Sequence, residues 1–413
     1  MRARIAQLAI LFALSFAPVT AAEPLLLEMV ENAKVVDTGR AGMPAFLADP
    51  GVIADESGYH LFVTNHVCDR DGDGAFDGDE YLFDPETTVE RCFDPDGPRH
   101  RQGAAIFYAH SDDEGRTWRF RPLPALAPEA GTYDSEKVET AFPVVIDGAL
   151  HLFYSATGHH GEAGFVPARY AIGAAKVHLA GRTIRQALMR DNAVFEKVRE
   201  TPVLDYVADA RAYGNSVQEP SVVVRRDGAV ELYYTALRLK DPRSGTGDDL
   251  DGIALMRATF ADTRLADPEI ETVNALDLAN LPWSLDLRAA SLPLNIQEVY
   301  HDDGGYHAFY TTLGDGEFHR DQEIRYAWSD DGLRWRKGRT LVTHDQPFSE
   351  WGVMAPSVIF AGDHLDVFYT AFGEVSDQSC IPQGDAARWG TPIKDGKACL
   401  HAMVGRARFR IGG

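Results

Sequence analysis

Twelve residues, Asp69-Arg-Asp-Gly-Asp-Gly-Ala-Phe-Asp-Gly-Asp-Glu80, set oxygen donors at intervals that suit a hard cation. Asp69, Asp71, Asp73, Asp77 and Glu80 supply carboxylates, the backbone carbonyl of Ala75 fills the gap between them, and Gly74 allows the sharp turn. Carboxylates this dense repel one another unless a cation neutralises them, so the spacing predicts a bound Ca2+. A second chemistry needs acids brought together from far apart. Asp49, Glu219 and Glu298 each stand near the start of an apolar strand. One ionised and one protonated carboxyl facing each other can cleave a glycosidic bond.

The elements that must position these acids repeat along the chain. A strand carrying Pro or a substitute, a turn with Gly, and a second strand ending in aromatic-Tyr-Thr/Ser-Ala or a close variant recur at 48–64, 141–156, 218–236, 296–312 and 354–371. Alternation and turn chemistry make each copy a β-hairpin. A third strand follows most copies, and two of these run into SDDEGRTWRF (111–120) and SDDGLRWRKG (329–338). Their Asp and Gly suit a tight turn, and their Trp is expected to pack between sheets. Such repeats predict an all-β fold, a five-bladed β-propeller with blades beginning near residues 45, 140, 217, 295 and 353. A two-sheet sandwich would not return one hairpin five times. The acidic loop then becomes an insertion in blade 1. Strand-like Leu61-Phe-Val-Thr64 precedes it, so it reads as an EF-hand loop without its helices, a structural clamp and not a switch. The segment 24–44 is placed to add an outer strand that closes the ring, and 184–200 has room for a short helix.

Aligned on their aromatic ends, the hairpins place Asp49, Phe142, Glu219, Glu298 and Ala355 at one position. Phe and Ala serve there in two copies, so folding does not require an acid. Inner strands of a propeller share one channel, where three such acids would converge. Phe142 and Trp351 are candidates to stack on sugar rings.

With these motifs the chain resembles the five-bladed propeller glycosidases of glycoside hydrolase family 43, the arabinanase and β-xylosidase type, and more distantly the invertases and fructosidases. The resemblance implies Asp49, in Asp49-Pro50, as the base that activates water. It implies Glu219, in Glu219-Pro220-Ser221, as the residue that tunes the acid, and Glu298 as the proton donor. That family carries Asp at the second place and Glu-Gly-Pro at the third. Under the invertase pattern Glu219 becomes the acid instead. Ser111–Trp118 also meets the Asp-box pattern of sialidases, a structural turn in many propellers. A non-catalytic propeller that binds a glycan or a protein partner is the alternative to a hydrolase.

Arg2, Arg4, the apolar run Ile5–Ala17 and the small residues at Val19–Ala22 read as a signal peptide over 1–22, with 23–413 as a single propeller domain. A secreted or periplasmic protein is expected. Without the leader's two Arg the net charge moves from −22 to about −24, which disfavours nucleic acid and anionic membrane as partners and leaves a neutral carbohydrate or a cationic partner. A monomer is expected. Four Cys in an exported chain read as two disulfides, and the local pairing Cys68–Cys92 and Cys380–Cys399 is the expected one of three connectivities.

Overall fold

The computed structural model describes residues 24–36, 47–68, 102–158, 170–190, 195–205, 216–239, 250–275, 293–302, 305–312, 322–373, 380–382, 393–394, 397–399 and 402–412. The expected leader, the acidic loop 69–80 and Cys92 lie outside them. The described chain is all-β, with antiparallel sheets following one another in propeller fashion and a short capped helix at Ile184–Leu188. No helix among the described residues is long and apolar enough to cross a membrane.

The repeated hairpin occurs five times among the described residues. Hairpin 1 joins Ala48–Asp55 to Gly58–Cys68, and hairpin 2 joins Lys137–Ile146 to Ala149–Thr157. Hairpin 3 joins Ser216–Val224 to Val230–Leu239, hairpin 4 joins Pro293–Asp302 to Gly305–Thr312, and hairpin 5 joins Gly352–Ala361 to His364–Phe372. Each gains a third antiparallel strand: Gln102–Ser111, Ala171–His178, Leu250–Phe260, Glu323–Ser329 and Ala402–Gly412 respectively. The last of these pairs in turn with the first strand of the chain, Leu26–Val36, so both ends of the described chain lie in the sheet of hairpin 5. This is the outer strand expected from 24–44.

The aromatic doublet that marks each hairpin explains how the sheets hold together. Neighbours along a strand point to opposite faces. Phe153 therefore enters the cluster shared with hairpin 3, and Tyr154 the cluster shared with hairpin 1. Tyr233 and Tyr234 divide between hairpins 4 and 2, Phe309 and Tyr310 between hairpins 5 and 3. Phe368 faces hairpin 1 and Tyr369 faces hairpin 4, while Phe62 and Val63 face hairpins 2 and 5. A middle strand such as Ala149–Thr157 is accordingly buried on both faces, because neighbouring sheets cover each side.

The two Asp-box turns form as their residues predict. Ser111 Oγ donates to Asp113 Oδ1 (2.8 Å) and accepts from Gly115 N, while Trp118 Nε1 donates to the Gly115 carbonyl. Ser329, Asp331, Gly332 and Trp335 repeat the pattern. Trp118 meets Phe368 edge-on at 5.8 Å, and Trp335 meets Tyr233 at 6.3 Å, so each Trp packs against the preceding sheet. Each turn also offers a carbonyl to an Arg of that sheet: Glu114 O to Arg406 and Asp331 O to Arg257. Their role in this protein is to join sheets.

Candidate active site

The first strand of each hairpin carries a bulge at the same place. Between Ala48↔Thr64 and Gly51↔Phe62, two residues oppose one, hairpins 2, 3 and 5 repeat this at Glu139/Phe142, Gln218/Ser221 and Met354/Ser357, and hairpin 4 has its irregularity at Ile296/Glu298. The first bulged residue adopts a left-handed backbone at Asp49 (φ 51), Thr140 (φ 53), Glu219 (φ 59) and Ala355 (φ 56). A non-Gly residue there costs about 1–2 kcal/mol. The turn aims each amide at a hydroxyl of the preceding hairpin, which offsets that cost. Asp49 N donates to Thr370 Oγ1, Thr140 N to Thr64 Oγ1, Glu219 N to Ser155 Oγ and Ala355 N to Thr311 Oγ1, at 2.8 to 3.0 Å.

This register brings together Asp49 of hairpin 1, Glu139 of hairpin 2 and Glu219 of hairpin 3. Burial, then the charges of Glu139 and Glu219, push the Asp49 carboxyl well above the usual carboxylate range. Asp49 Oδ1 is closed off from solvent and has no hydrogen-bond partner among the described residues. Tyr170, just before the third strand of sheet 2, completes the group. Burial, then the neighbouring acids Glu139, Asp49 and Glu219, push its phenol far up. Its backbone is pinned to hairpin 3, with Tyr170 N donating to Ser216 Oγ (3.0 Å) and Val217 N donating to Tyr170 O (2.9 Å). One carboxyl pressed toward its neutral form beside two others is the arrangement that acid/base chemistry requires.

The register also corrects the equivalence expected from sequence. Phe142 and Glu298 are counterparts of Gly51, Ser221 and Ser357, two residues past the position of Asp49 and Glu219. Side chains at that later position face the next hairpin. Phe142, 8 % exposed, lies in the core shared with hairpin 3, so it has no open face for a sugar ring. Ser221 Oγ accepts from Val299 N, and Ser357 Oγ from Val52 N. Glu298, 7 % exposed, does the same for hairpin 5: its Oε2 accepts from Val358 N (3.3 Å) and Ser357 Oγ (2.9 Å). Burial pushes its pKa up to about 8 against those two bonds. Trp351 is half-buried at the entry to hairpin 5, its N–H donating to Phe372 O (2.9 Å).

Sequence alignment of the hairpins misses Glu139 and Tyr170. The signal for Glu139 is the hydroxyl of the second strand, Thr64, Ser155, Thr235, Thr311 or Thr370, which stands opposite the start of the bulge in hairpins 1, 2, 3 and 5 and opposite Asn295, one residue earlier, in hairpin 4. Tyr170 has no such marker. No group of His, Cys, Asp and Glu fit to hold a metal occurs among the described residues.

No protein-family model and no curated protein matches this sequence. Solved structures do. Zg3597, a family 117 glycoside hydrolase produced by the marine bacterium Zobellia galactanivorans, has TM-score 0.50 at 13 % identity, covering 95 % of this protein and 91 % of that one. A thermostable family-43 glycoside hydrolase has TM-score 0.51 at 14 % identity, over 91 % and 96 %. The GH43_1 enzyme from Xanthomonas citri complexed with xylotriose has TM-score 0.50 at 14 % identity, over 92 % and 90 %. With its sheets, its bonded hairpins and this likeness along nearly its whole length, the protein has the fold of the five-bladed β-propeller glycoside hydrolases.

Proposed function

We propose that this is a secreted or periplasmic five-bladed propeller that hydrolyses glycosidic bonds in a neutral poly- or oligosaccharide. The observation that carries this reading is the meeting of Asp49, Glu139 and Glu219, from three hairpins, at one half-buried point where Asp49 Oδ1 is closed off and has no partner among the described residues. The five hairpin-to-hairpin contacts, the fifth back to the first, support the blade count. A cluster of acids repels anionic sugars, which favours a neutral substrate. The structural neighbour complexed with xylotriose points to the same class. Trp351 is the remaining candidate to stack on a sugar. Incubation with aryl arabinosides, xylosides and fructosides, and with the corresponding oligosaccharides, tests the reading. The wild type should release sugar, and Asp49→Asn should lose about 10³-fold or more while folding normally. Glycan binding without turnover on any substrate would instead identify a non-catalytic glycan-binding propeller.

The loop Asp69–Glu80 is proposed to hold a structural Ca2+ through Asp69, Asp71, Asp73, Ala75 O, Asp77 and Glu80. Cys68 and Gln102 are Cα partners, so the insertion leaves and rejoins hairpin 1 at adjacent points. Closing such a loop with an ion and a Cys68–Cys92 disulfide would rigidify the sheet that carries Asp49. Cys380 and Cys399 are Cα partners across a small sheet, which supports their pairing as the second disulfide. EDTA should lower the melting temperature by about 5 °C or more with little change in residual activity at low temperature. An unchanged melt would count against the ion.

A further inference from the structure

One backbone bond recurs where a sheet meets the next hairpin. The residue just before the bulge donates its amide to the residue at the entry to the preceding sheet's third strand: Leu47 N to Ala402 O (3.3 Å), Val217 N to Tyr170 O (2.9 Å) and Val353 N to Gln322 O (3.2 Å). Ala402, Tyr170 and Gln322 are therefore counterparts, and Ala402 shows that the fold asks for no polar side chain there. Gln322 is nonetheless 1 % exposed, and its Oε1 is closed off from solvent with no hydrogen-bond partner among the described residues. A buried acceptor without a donor destabilises a fold, and a position where alanine suffices gains nothing structural from carrying one. Gln322 lies beside hairpin 5, two residues before Ile324 of the core shared with that hairpin. On this side the site is otherwise poor in polar groups. Hairpins 1 and 3 bring Asp49 and Glu219 at their left-handed bulge residues, whereas hairpin 5 brings Ala355, and Met354, Ala355 and Pro356 have no side-chain N–H or O–H group.

We infer that Gln322 is a specificity-determining residue of this site, its carboxamide oxygen accepting a hydrogen bond from one hydroxyl of the bound sugar. This rests on the hydrolase reading above and extends the site to the side that meets hairpin 5. An uncharged carboxamide suits a neutral hydroxyl and adds no further charge to the acids of hairpins 1 to 3. A sugar with a hydroxyl at this place satisfies an acceptor that nothing described in the protein satisfies. A sugar lacking that hydroxyl leaves the acceptor buried and unpaired. Discrimination between the two therefore exceeds the net gain of a single hydrogen bond. Trp351, the remaining candidate to stack on a sugar, stands two residues before Val353 at the entry to the same hairpin.

The test takes the aryl glycoside that the wild type cleaves best, together with its monodeoxy analogues. The wild type should cleave one of those analogues about 10²-fold more slowly in kcat/KM than the parent. Gln322→Met keeps the volume and removes the amide. It should lose about tenfold on the parent and less than about twofold on that analogue. A merely structural role would lower both by the same factor. Without sugar, Gln322→Met should melt no lower than the wild type, because it removes a buried acceptor that has no donor. Gln322→Ala takes its place in the kinetic comparison if it does not fold. Equal losses on the parent and on every analogue, unchanged kinetics in the folded variant, or a wild type indifferent to every deoxy position would overturn the inference and leave the hydrolase reading standing. A wild type inactive on every glycoside would overturn the hydrolase reading, and the inference with it.

Discussion

Glu298→Gln should melt well above the wild type at pH 9 and close to it at pH 5. Glu298 stands at a place held by hydroxyls in hairpins 3 and 5, and its raised pKa, about 8 against an ordinary 4.5, means that the folded state prefers it protonated. The stabilising contribution of that proton is fully present below the unfolded value of 4.5 and is lost as pH rises through about 8. Across that window the loss is of order 3–5 kcal/mol. Gln keeps an oxygen for Val358 N and Ser357 Oγ and cannot ionise, so its stability should stay flat. Its added amide costs no more than about 1 kcal/mol at low pH. Urea titrations at pH 5, 7 and 9 measure this directly. Activity measured alongside decides the part of Glu298 in chemistry. If Asp49, Glu139 and Glu219 form the site, turnover survives; a loss of about 10³-fold in a fully folded Glu298→Gln would return the proton donor to Glu298.

The second large effect is at the junction of sheets 5 and 1. Asp366, 0 % exposed, accepts two bonds of 2.7 Å from Arg408 and one of 3.0 Å from Tyr59, with the buried Arg406 at 3.6 Å. Arg406 also pairs with Glu31 of the first strand, and Arg408 with Glu114 of the Asp-box turn. Asp366→Leu therefore removes the buried counter-ion shared by two guanidinium groups and leaves Arg406 to Glu31 and Arg408 to Glu114. The expected cost is about 3–5 kcal/mol, much of it desolvation of buried charge that has lost its nearest partner. The double variant Asp366→Leu/Arg406→Met should recover part of that loss, and salt should change neither result much because the pair is shielded from solvent. Additive losses in chemical denaturation would show that the two groups do not work as a unit. The corresponding place in hairpin 3 is Glu231, bonded by Arg225 at 3.3 Å and near Arg257 at 3.6 Å, so one device serves two of the junctions.

Alternation and glycine turns made the hairpins readable, because period-two burial and aromatic doublets survive without any knowledge of neighbours. The doublet could not announce which ring enters which junction; that depends on sheets distant in sequence. The Asp boxes were readable for the opposite reason, since their bonds all lie within a few residues. The bulge register was not. Pro50, Pro220 and Pro356 sit inside bulges, while Pro143 pairs with Leu152 in the regular ladder. An alignment that follows proline thus slides hairpin 2, putting Phe142 where Thr140 belongs and hiding Glu139. In hairpin 4, Glu298 resembles Glu219 in sequence but is displaced by the width of the bulge. Two residues along a strand keep the same face, yet past a bulge they change which neighbour they meet.

The pairing of Leu26–Val36 with Ala402–Gly412 has a consequence for how the molecule is made. Synthesis runs from one partner to the other, so the last strand to be made completes the sheet begun by the first. Until then hairpin 5 has neither its third nor its fourth strand, and the Arg406 and Arg408 that bridge to sheet 1 do not yet exist. A nascent polypeptide can lay down the earlier hairpins in order, but the core shared by sheets 5 and 1 lacks Val404 until the last described strand is made. Completion is thus a single late event that joins the first and last described strands. A polypeptide stopped before residue 402 would not be a smaller version of this fold; it would be an open arc with two unpaired edges, the state most exposed to self-association.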